Sequence, residues 1–138
     1  MSQENVEIVR RVLDAWNRQD LDELLGLSDP EVEYVNSPTA VEPGTRRGLD
    51  EIAVVWRTQW EILLDGRLEI DQIYDRGEEI IVLGRLSRRM PEGDARIEDQ
   101  YLISWTIRDG KVVRSAVLGF GRTEVAKGLE AAGLREPT

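Results

Sequence analysis

Two polar side chains lie on one face of a short alternation of apolar and polar residues, in the stretch EVEYVNSPTA at residues 31–40. Such alternation is typical of a strand, and Tyr34 and Asn36 fall on the same face of it. A tyrosine hydroxyl can donate to a ligand oxygen, and an asparagine can hold water or a second oxygen. The alternative is a core tyrosine followed by an Asx turn at Asn36, where a strand merely runs into a loop.

A second candidate pair comes from two later strands joined through the turn MPEGD. If Met90 pairs with about Asp94, Arg85 lies directly opposite Asp99, on the same face as Tyr101. An arginine–carboxylate pair can form two parallel hydrogen bonds, and inside an apolar cavity it would anchor a ligand carbonyl or hydroxyl. The alternative is a structural salt bridge at the rim, because long charged side chains usually reach water.

The composition narrows the chemistry that the chain can perform. It has no histidine and no cysteine, which excludes a Ser-His or Cys-His nucleophile, a disulfide framework and a thiolate metal site. No cluster of acids has metal-binding spacing, and we expect neither a metal nor a cofactor. An acid–base group must therefore be a carboxylate or a tyrosine, and a carboxylate would need desolvation to work near neutral pH. On these grounds Asp99 and Tyr34 are the candidate catalytic residues.

The net charge and the apolar runs limit the partners. The formal net charge is −9, and the short basic clusters at 46–47 and 88–89 lie among acids, so we expect no nucleic-acid partner. No run approaches the roughly 18 apolar residues of a membrane span, and the first residues lack the apolar core of a signal peptide. We therefore expect a cytoplasmic protein that does not contact a membrane.

The order of predicted elements indicates an α+β fold in a single domain over residues 1–138. Two helices, a strand and a third helix precede four long strands joined by short glycine-containing turns, and a last helix follows. Residues 36–48, rich in proline and glycine, are predicted to form a loop. The predicted helices cover residues 3–18, 21–27, 51–64 and 123–134, and the strands cover 31–35, 67–75, 79–90, 95–107 and 111–120.

This order, together with four local segments, resembles the SnoaL-like polyketide cyclases of the nuclear transport factor 2-like superfamily. The segments are VRRVLDAWNRQDLDELLGLSDPEVEY, EPGTRRGLDEI, IRDGKVVR and GLEAAGL. The resemblance implies a cone-shaped half-barrel, in which three N-terminal helices pack on a curved, mainly antiparallel sheet with a short C-terminal helix. It also implies that the open end of the cone receives a small apolar ligand.

Two related enzyme classes can be compared residue by residue. The catalytic positions of ketosteroid isomerases correspond to Val12, Tyr34 and Ile103, which lack the required groups, so that activity is rejected. The segment YVNSP resembles the water-positioning segment of limonene-type epoxide hydrolases, and their arginine corresponds to Arg85. The acids that should accompany it are replaced by Ser87 and Val117, so this resemblance is partial.

The sequence leaves two classes of function open. One is a cofactor-free cyclase or isomerase acting on an apolar, ring-containing substrate that is uncharged or weakly anionic. The other is a non-catalytic ligand-binding protein or a structural homodimer, and an epoxide-hydrolase-like enzyme is a further alternative. The expected substrate-binding residues are Val12, Trp16, Asn36, Trp56, Trp60, Arg85, Tyr101 and Trp105, although tryptophans on inner helix faces equally fit a core.

The last two strands predict a surface for self-association. If the turn RDG is a three-residue loop with a bulge at Gly110, an apolar set faces outward, and such a face is not normally left in water. We therefore expect a two-fold homodimer through the outer sheet face, as the resemblance also implies. A two-residue Asp-Gly turn would reverse the facing of the final strand. The outward set is Leu102, Val112, Ala116, Leu118 and Phe120.

Overall fold

The computed structural model describes residues 2–37, 39–40 and 43–136, and Pro38 of the YVNSP segment lies outside them. Helices and strands are segregated along this part of the chain, which confirms the predicted α+β fold. Their order is α1 (Ser2–Asn17), α2 (Leu21–Gly26), β1 (Ser28–Asn36), β2 (Gly44–Arg47), α3 (Gly48–Ile62), β3 (Arg67–Arg76), β4 (Glu79–Arg89), β5 (Arg96–Arg108), β6 (Lys111–Phe120) and α4 (Arg122–Ala131).

The three N-terminal helices pack on one face of the sheet, called the inner face, which carries Ile80, Val82 and Trp105. Helix α1 presents a stripe of buried residues, Val9, Leu13 and Trp16, at spacings of four and three. Helix α2 is short and begins after Asp20, whose carboxylate accepts a hydrogen bond from the Glu23 N–H at 3.1 Å. These contacts hold α1 and α3 over the concave side of the sheet.

The strands form one curved sheet in the order β2-β1-β6-β5-β4-β3. All neighbouring pairs are antiparallel except β1 and β6, which run parallel. The predicted loop over 36–48 was wrong for residues 44–47, which form β2 against β1. Strand β2 lies at the exposed edge of the sheet, so its residues carry no alternation of apolar and polar types from which it could be recognised.

The register between β4 and β5 differs by one residue from the prediction. Arg85 lies opposite Gln100, and Asp99 lies opposite Leu86. The loop between the strands closes with Met90 N–H donating to the Ala95 carbonyl, one residue beyond the expected partner. Because side chains alternate between faces, a shift of one residue places Arg85 on the opposite face from Asp99. The predicted Arg85–Asp99 pair is therefore wrong.

Helix α4 packs on the other, outer face of the sheet. Its Val125 and Leu129 are buried with Ile81, Leu83 and Leu102 in a second apolar cluster, against which Leu118 also packs. The outer face is thus covered in part by the chain itself, which removes the argument from which the homodimer was predicted. The homodimer itself stays a prediction.

The facing of the last strand was predicted correctly for only part of its residues. The β5–β6 turn consists of two residues with positive φ, Asp109 and Gly110, rather than three. Val112 accordingly belongs to the inner core, and Phe120 lies opposite Tyr101 and lines the inner side. Ala116 lies on the outer face with Leu102 and Leu118, as expected.

Candidate functional site

The inner face of the sheet, together with α1 and α3, surrounds a cavity of about 500 Å³, called the main cavity. Its walls are mostly apolar, and its polar groups are few. Two further cavities adjoin it: an outer cavity of about 510 Å³ along α3 and a small inner cavity of about 60 Å³. The main-cavity wall includes Trp16, Leu68, Leu86, Tyr101, Ile103 and Val117.

Tyr34 and Gln59 line all three cavities, so their side chains stand where the cavities meet. Strand β1 points Tyr34 inward, and helix α3 brings Gln59 to it. The Gln59 Nε2 donates to the Tyr34 hydroxyl at 3.3 Å. Tyr34 is only 8% exposed, and burial raises the pKa of its phenol above the ordinary value. The phenol is therefore neutral at physiological pH and keeps its proton.

The direction of this hydrogen bond is fixed by a third residue. The Trp16 indole Nε1–H, which can only donate, donates to the Gln59 Oε1 at 2.9 Å. This orients the amide so that its NH₂ group faces Tyr34. The Tyr34 oxygen thus accepts from Gln59, and its own proton remains available to donate. Within residues 2–37, 39–40 and 43–136, no acceptor takes that proton.

The open end of the main cavity is formed by the last residues of β1 and β6 and by residues that follow these strands. The Asn36 Oδ1 accepts from the Ser37 N–H at 2.9 Å, and Asn36 lines both larger cavities. Glu124, in the first turn of α4, also lines the main cavity. Its carboxylate accepts from the Thr39 hydroxyl and, at 3.1 Å, from the Phe120 N–H. The Thr39 hydrogen bond, followed by that of Phe120, lowers the pKa of Glu124.

Glu124 was not predicted as a site residue. The segment TEVAKGLEAAGL shows only an amphipathic helix, and nothing local in it indicates that its second residue, Glu124, lies at a cavity. The placement depends on the parallel pairing of β1 with β6, which joins segments about 80 residues apart. No signal within either segment reveals that pairing.

Val12 and the predicted aromatic residues of the site lie at two cavities and in the core. Trp16 and Tyr101 line the main cavity, and Trp16 also lines the small inner cavity, together with Val12, Trp56 and Trp105.

Trp60 lines none of the three cavities among the described residues. Its Nε1 donates to the Trp16 carbonyl at 3.0 Å, and the two rings pack with centroids 6.4 Å apart. Trp60 therefore supports the wall from behind.

Tyr101 contributes its ring to the wall but not its proton. Its hydroxyl donates to the Glu69 carbonyl oxygen at 2.8 Å, close to the bulge that β3 has between Ile70 and Gln72. Burial raises the pKa of this phenol strongly. The ring crosses β4 at Gly84, which has no side chain in the way. Tyr34 therefore differs from Tyr101 in having a free donor.

Asp99 and Arg85, the predicted polar anchor, do not line any of the three cavities. Asp99 is on the inner face, as expected, but its carboxylate accepts from the Arg88 Nη1 at 3.0 Å. Arg85 is on the outer face and donates to Asp71 at 3.1 Å and to Glu98 at 3.2 Å. Arg85 therefore lies outside the binding site. The carboxylate of Asp99, a candidate catalytic residue, is already engaged by Arg88.

In the part of the chain that the structure describes, no group of three or more aspartate or glutamate side chains could hold a metal ion. None of its helices is long and apolar enough to cross a bilayer.

Comparison with known proteins establishes the family. The model of the SnoaL-like domain matches residues 9–115, and the chain belongs to the SnoaL-like family. The resemblance stated from the sequence is thereby confirmed. No curated protein matches the chain in sequence.

Several solved structures share the fold. An NTF2-like protein of unknown function from Burkholderia pseudomallei is 23% identical, with a TM-score of 0.73 over 90% of this chain and 95% of that one. TerC, co-crystallised with polyporic acid, is 22% identical, with a TM-score of 0.73 over 92% and 98%. A protein with a ketosteroid isomerase-like fold from Catenulispora acidiphila, in complex with trimethylamine, is 16% identical, with a TM-score of 0.72 over 94% of each chain.

Proposed function

We propose that the protein binds a small, largely apolar, ring-containing molecule in the main cavity and holds an acceptor oxygen of that molecule at the Tyr34 hydroxyl. The single observation that carries this proposal is the ordered chain from Trp16 through Gln59 to Tyr34. Trp16 donates to Gln59 and Gln59 donates to Tyr34, whereas the Tyr34 hydroxyl has no acceptor among the described residues. A ligand carbonyl or ether oxygen would complete the chain.

The size and lining of the main cavity fit such a ligand. A volume of about 500 Å³ is in the range of small-molecule sites, which are mostly apolar with a few placed polar groups. Related folds hold small organic molecules, namely polyporic acid in TerC and trimethylamine in the Catenulispora protein. These relatives support the proposal that the fold is used to bind small molecules. The class of ligand proposed for this chain is based on the residues that line its main cavity.

A cofactor-free cyclase or isomerase is a second candidate, because the Tyr34 donor could equally stabilise a developing oxyanion. Such an enzyme also needs a base in the cavity. Asp99 is held by Arg88 outside the described cavity lining. The lowered pKa of Glu124 makes that carboxylate a weak base. Binding is therefore the better-supported function. Turnover can be tested by following, in D₂O, exchange of the methyl protons of 2-acetylnaphthalene with and without the protein.

Binding is tested with 2-acetylnaphthalene and 2-ethylnaphthalene, which differ in one carbonyl oxygen. Tyr34→Phe should weaken the ketone by about 0.5–1.5 kcal/mol, or roughly twofold to tenfold, because one hydrogen bond is lost. It should leave the hydrocarbon unchanged. The matched control is Tyr74→Phe, whose hydroxyl donates to the Arg135 carbonyl away from the cavity. Calorimetric titration provides both affinities. Equal losses for the two compounds would show that Tyr34 shapes the wall without a polar contact.

A further inference from the structure

Glu124 lies at the same end of the sheet as the loop that follows β1. Strands β1 and β6 are parallel neighbours, so the segments that follow them emerge at one edge. Thr39 follows β1, Glu124 follows β6, and the hydroxyl of Thr39 donates to the carboxylate of Glu124. Both residues line the main cavity, as do Ser37 and the partly exposed Phe120. This group forms the mouth of the cavity, whereas Tyr34 lies deeper.

The charge at this mouth is negative. Glu124 is the only carboxylate among the described residues that line the main cavity, and that lining includes no arginine or lysine. Four neighbouring groups hold its pKa down: first the Thr39 hydroxyl, then the Phe120 N–H, then the Ser37 hydroxyl, and last the positive charge of Lys127. The carboxylate therefore stays ionised at neutral pH. An ionised carboxylate accepts up to about four hydrogen bonds, so these donors do not saturate it.

Capping of α4 explains only one of the two contacts that the Glu124 carboxylate makes, the one with the Phe120 N–H. The Glu124 Oε1 accepts from the Phe120 N–H just before the helix, which is ordinary stabilisation of a helix start. The Oε2 instead faces the Thr39 hydroxyl across the mouth. A residue needed for capping alone has no reason to reach the chain segment that follows β1 or to line the cavity wall.

We infer that Glu124, steadied by Thr39, is a second ligand anchor, which selects molecules with an ammonium or hydroxyl donor at the end opposite to the oxygen held by Tyr34. This inference rests on the proposed function, because it assigns the other end of the same ligand. The favoured ligand is an apolar ring system with an acceptor at its deep end and a donor at its outer end. The expectation of a weakly anionic ligand changes accordingly, since an anionic outer group would be repelled.

The test uses three 2-acetylnaphthalenes that carry an aminomethyl, an ethyl or a carboxylate group at position 6. Calorimetric titration at about pH 7.5 and low salt should rank their affinities in that order, with the ammonium compound about tenfold tighter than the ethyl compound. Glu124→Gln should remove most of that preference and leave the ethyl compound within about twofold. The matched control is Glu130→Gln, an exposed residue of α4 outside the cavity, which should preserve the preference.

Two further measurements test the inference without relying on the Glu124→Gln variant. Raising the salt to about 0.5 M should reduce the ammonium preference of the unaltered protein, since ions screen a charge at an open mouth, and this requires no variant to fold. Thr39→Val retains the carboxylate and should retain the preference in part.

The outcomes also separate this inference from the proposed function. An unchanged ratio of ammonium to ethyl affinities in Glu124→Gln overturns the inference, while the proposed function stands if Tyr34→Phe still separates the ketone from the hydrocarbon. Absence of binding by every naphthalene overturns both.

Discussion

Gly84 lies directly opposite Tyr101 in the β4–β5 ladder, and a Cβ atom added to Gly84 would lie 2.5 Å from the Tyr101 hydroxyl oxygen. It would lie closer still to the carbonyl oxygen of Glu69. The missing side chain lets the tyrosine ring cross β4 and reach the carbonyl of β3 at 2.8 Å. Gly84, although it lies within a long strand, is therefore required for Tyr101 to form part of the main-cavity wall.

Gly84→Ala should therefore destabilise the fold. Two neighbours, one of them backbone, would have to move, and forcing extra atoms into a packed site costs about 1–3 kcal/mol. Gly26→Ala is the matched control, because a Cβ atom there meets nothing within 4 Å and the residue ends a helix. That change should be neutral or slightly stabilising. Urea unfolding measures both free energies, and equal stability of the two variants would contradict the packing described for Tyr101.

The buried phenols predict how the free energy of unfolding changes at alkaline pH. Burial raises the pKa of Tyr101 above its ordinary value of 10.0. A group whose pKa is raised in the folded state stabilises the fold fully below its unfolded pKa and loses that contribution as pH rises past it. The free energy of unfolding should thus fall above about pH 10.

Tyr101→Phe should flatten this decline. At neutral pH it should cost about 0.5–1.5 kcal/mol for the lost hydrogen bond to Glu69. Unfolding in urea at pH 7 and at successive values above 10 provides the comparison. A decline that is as steep in the variant would assign the alkaline limb to other groups.

The fold could be predicted from the sequence because its long elements carry strong local signals. The stripe of Val9, Leu13 and Trp16 has helical spacing. The four long strands are separated by short glycine-containing turns. The edge strand β2 was not predicted because its residues are largely exposed and show no alternation of apolar and polar types. Register was harder still. A one-residue difference in the loop after Met90 moved Arg85 to the other face, and no residue type in that loop specifies its length.

The site was predictable only in part, for the same physical reason. Tyr34, Asn36, Trp16 and Tyr101 line the main cavity, as the faces of their own elements suggested. Gln59 was not predicted as a site residue, because its role depends on three elements that converge from distant parts of the chain. Glu124 required the parallel contact of β1 with β6, which neither strand encodes locally.

Asp99→Asn should have a small effect on stability and none on the cavity. The side chains of Arg88 and Asp99 are 27% and 33% exposed, and a pair so open to water is worth under about 1 kcal/mol. Asp71→Asn, which breaks the outer pair with Arg85, is the matched control and should cost about as little. A loss near 3 kcal/mol for Asp99→Asn alone would instead indicate a buried pair. Binding of 2-acetylnaphthalene should be unchanged in both variants.

Reversing the hydrogen bond between Gln59 and Tyr34 provides the sharpest test of the ligand-binding proposal. Gln59→Glu keeps the size of the side chain but replaces the donor by a second acceptor oxygen. The Trp16 indole can still donate to one oxygen, as it does now at 2.9 Å. The other oxygen would accept the Tyr34 proton, which is then no longer available to a ligand. At about pH 8 the ketone 2-acetylnaphthalene should bind roughly tenfold more weakly, and 2-ethylnaphthalene should be unaffected.

The same variant should recover as the pH falls. The introduced carboxyl has an ordinary pKa near 4.3 and becomes protonated at acid pH. Once protonated, it can donate to the Tyr34 oxygen as the amide does, and the phenol proton again points to the ligand. Titrations at about pH 8 and about pH 4 should therefore show recovery of the ketone affinity in Gln59→Glu alone. Gln72→Glu, on β3 and outside the described lining of the three cavities, is the matched control. Weakening of both probes to the same extent at both pH values would mean that the charge disturbs the cavity as a whole and that Tyr34 donates to no ligand oxygen.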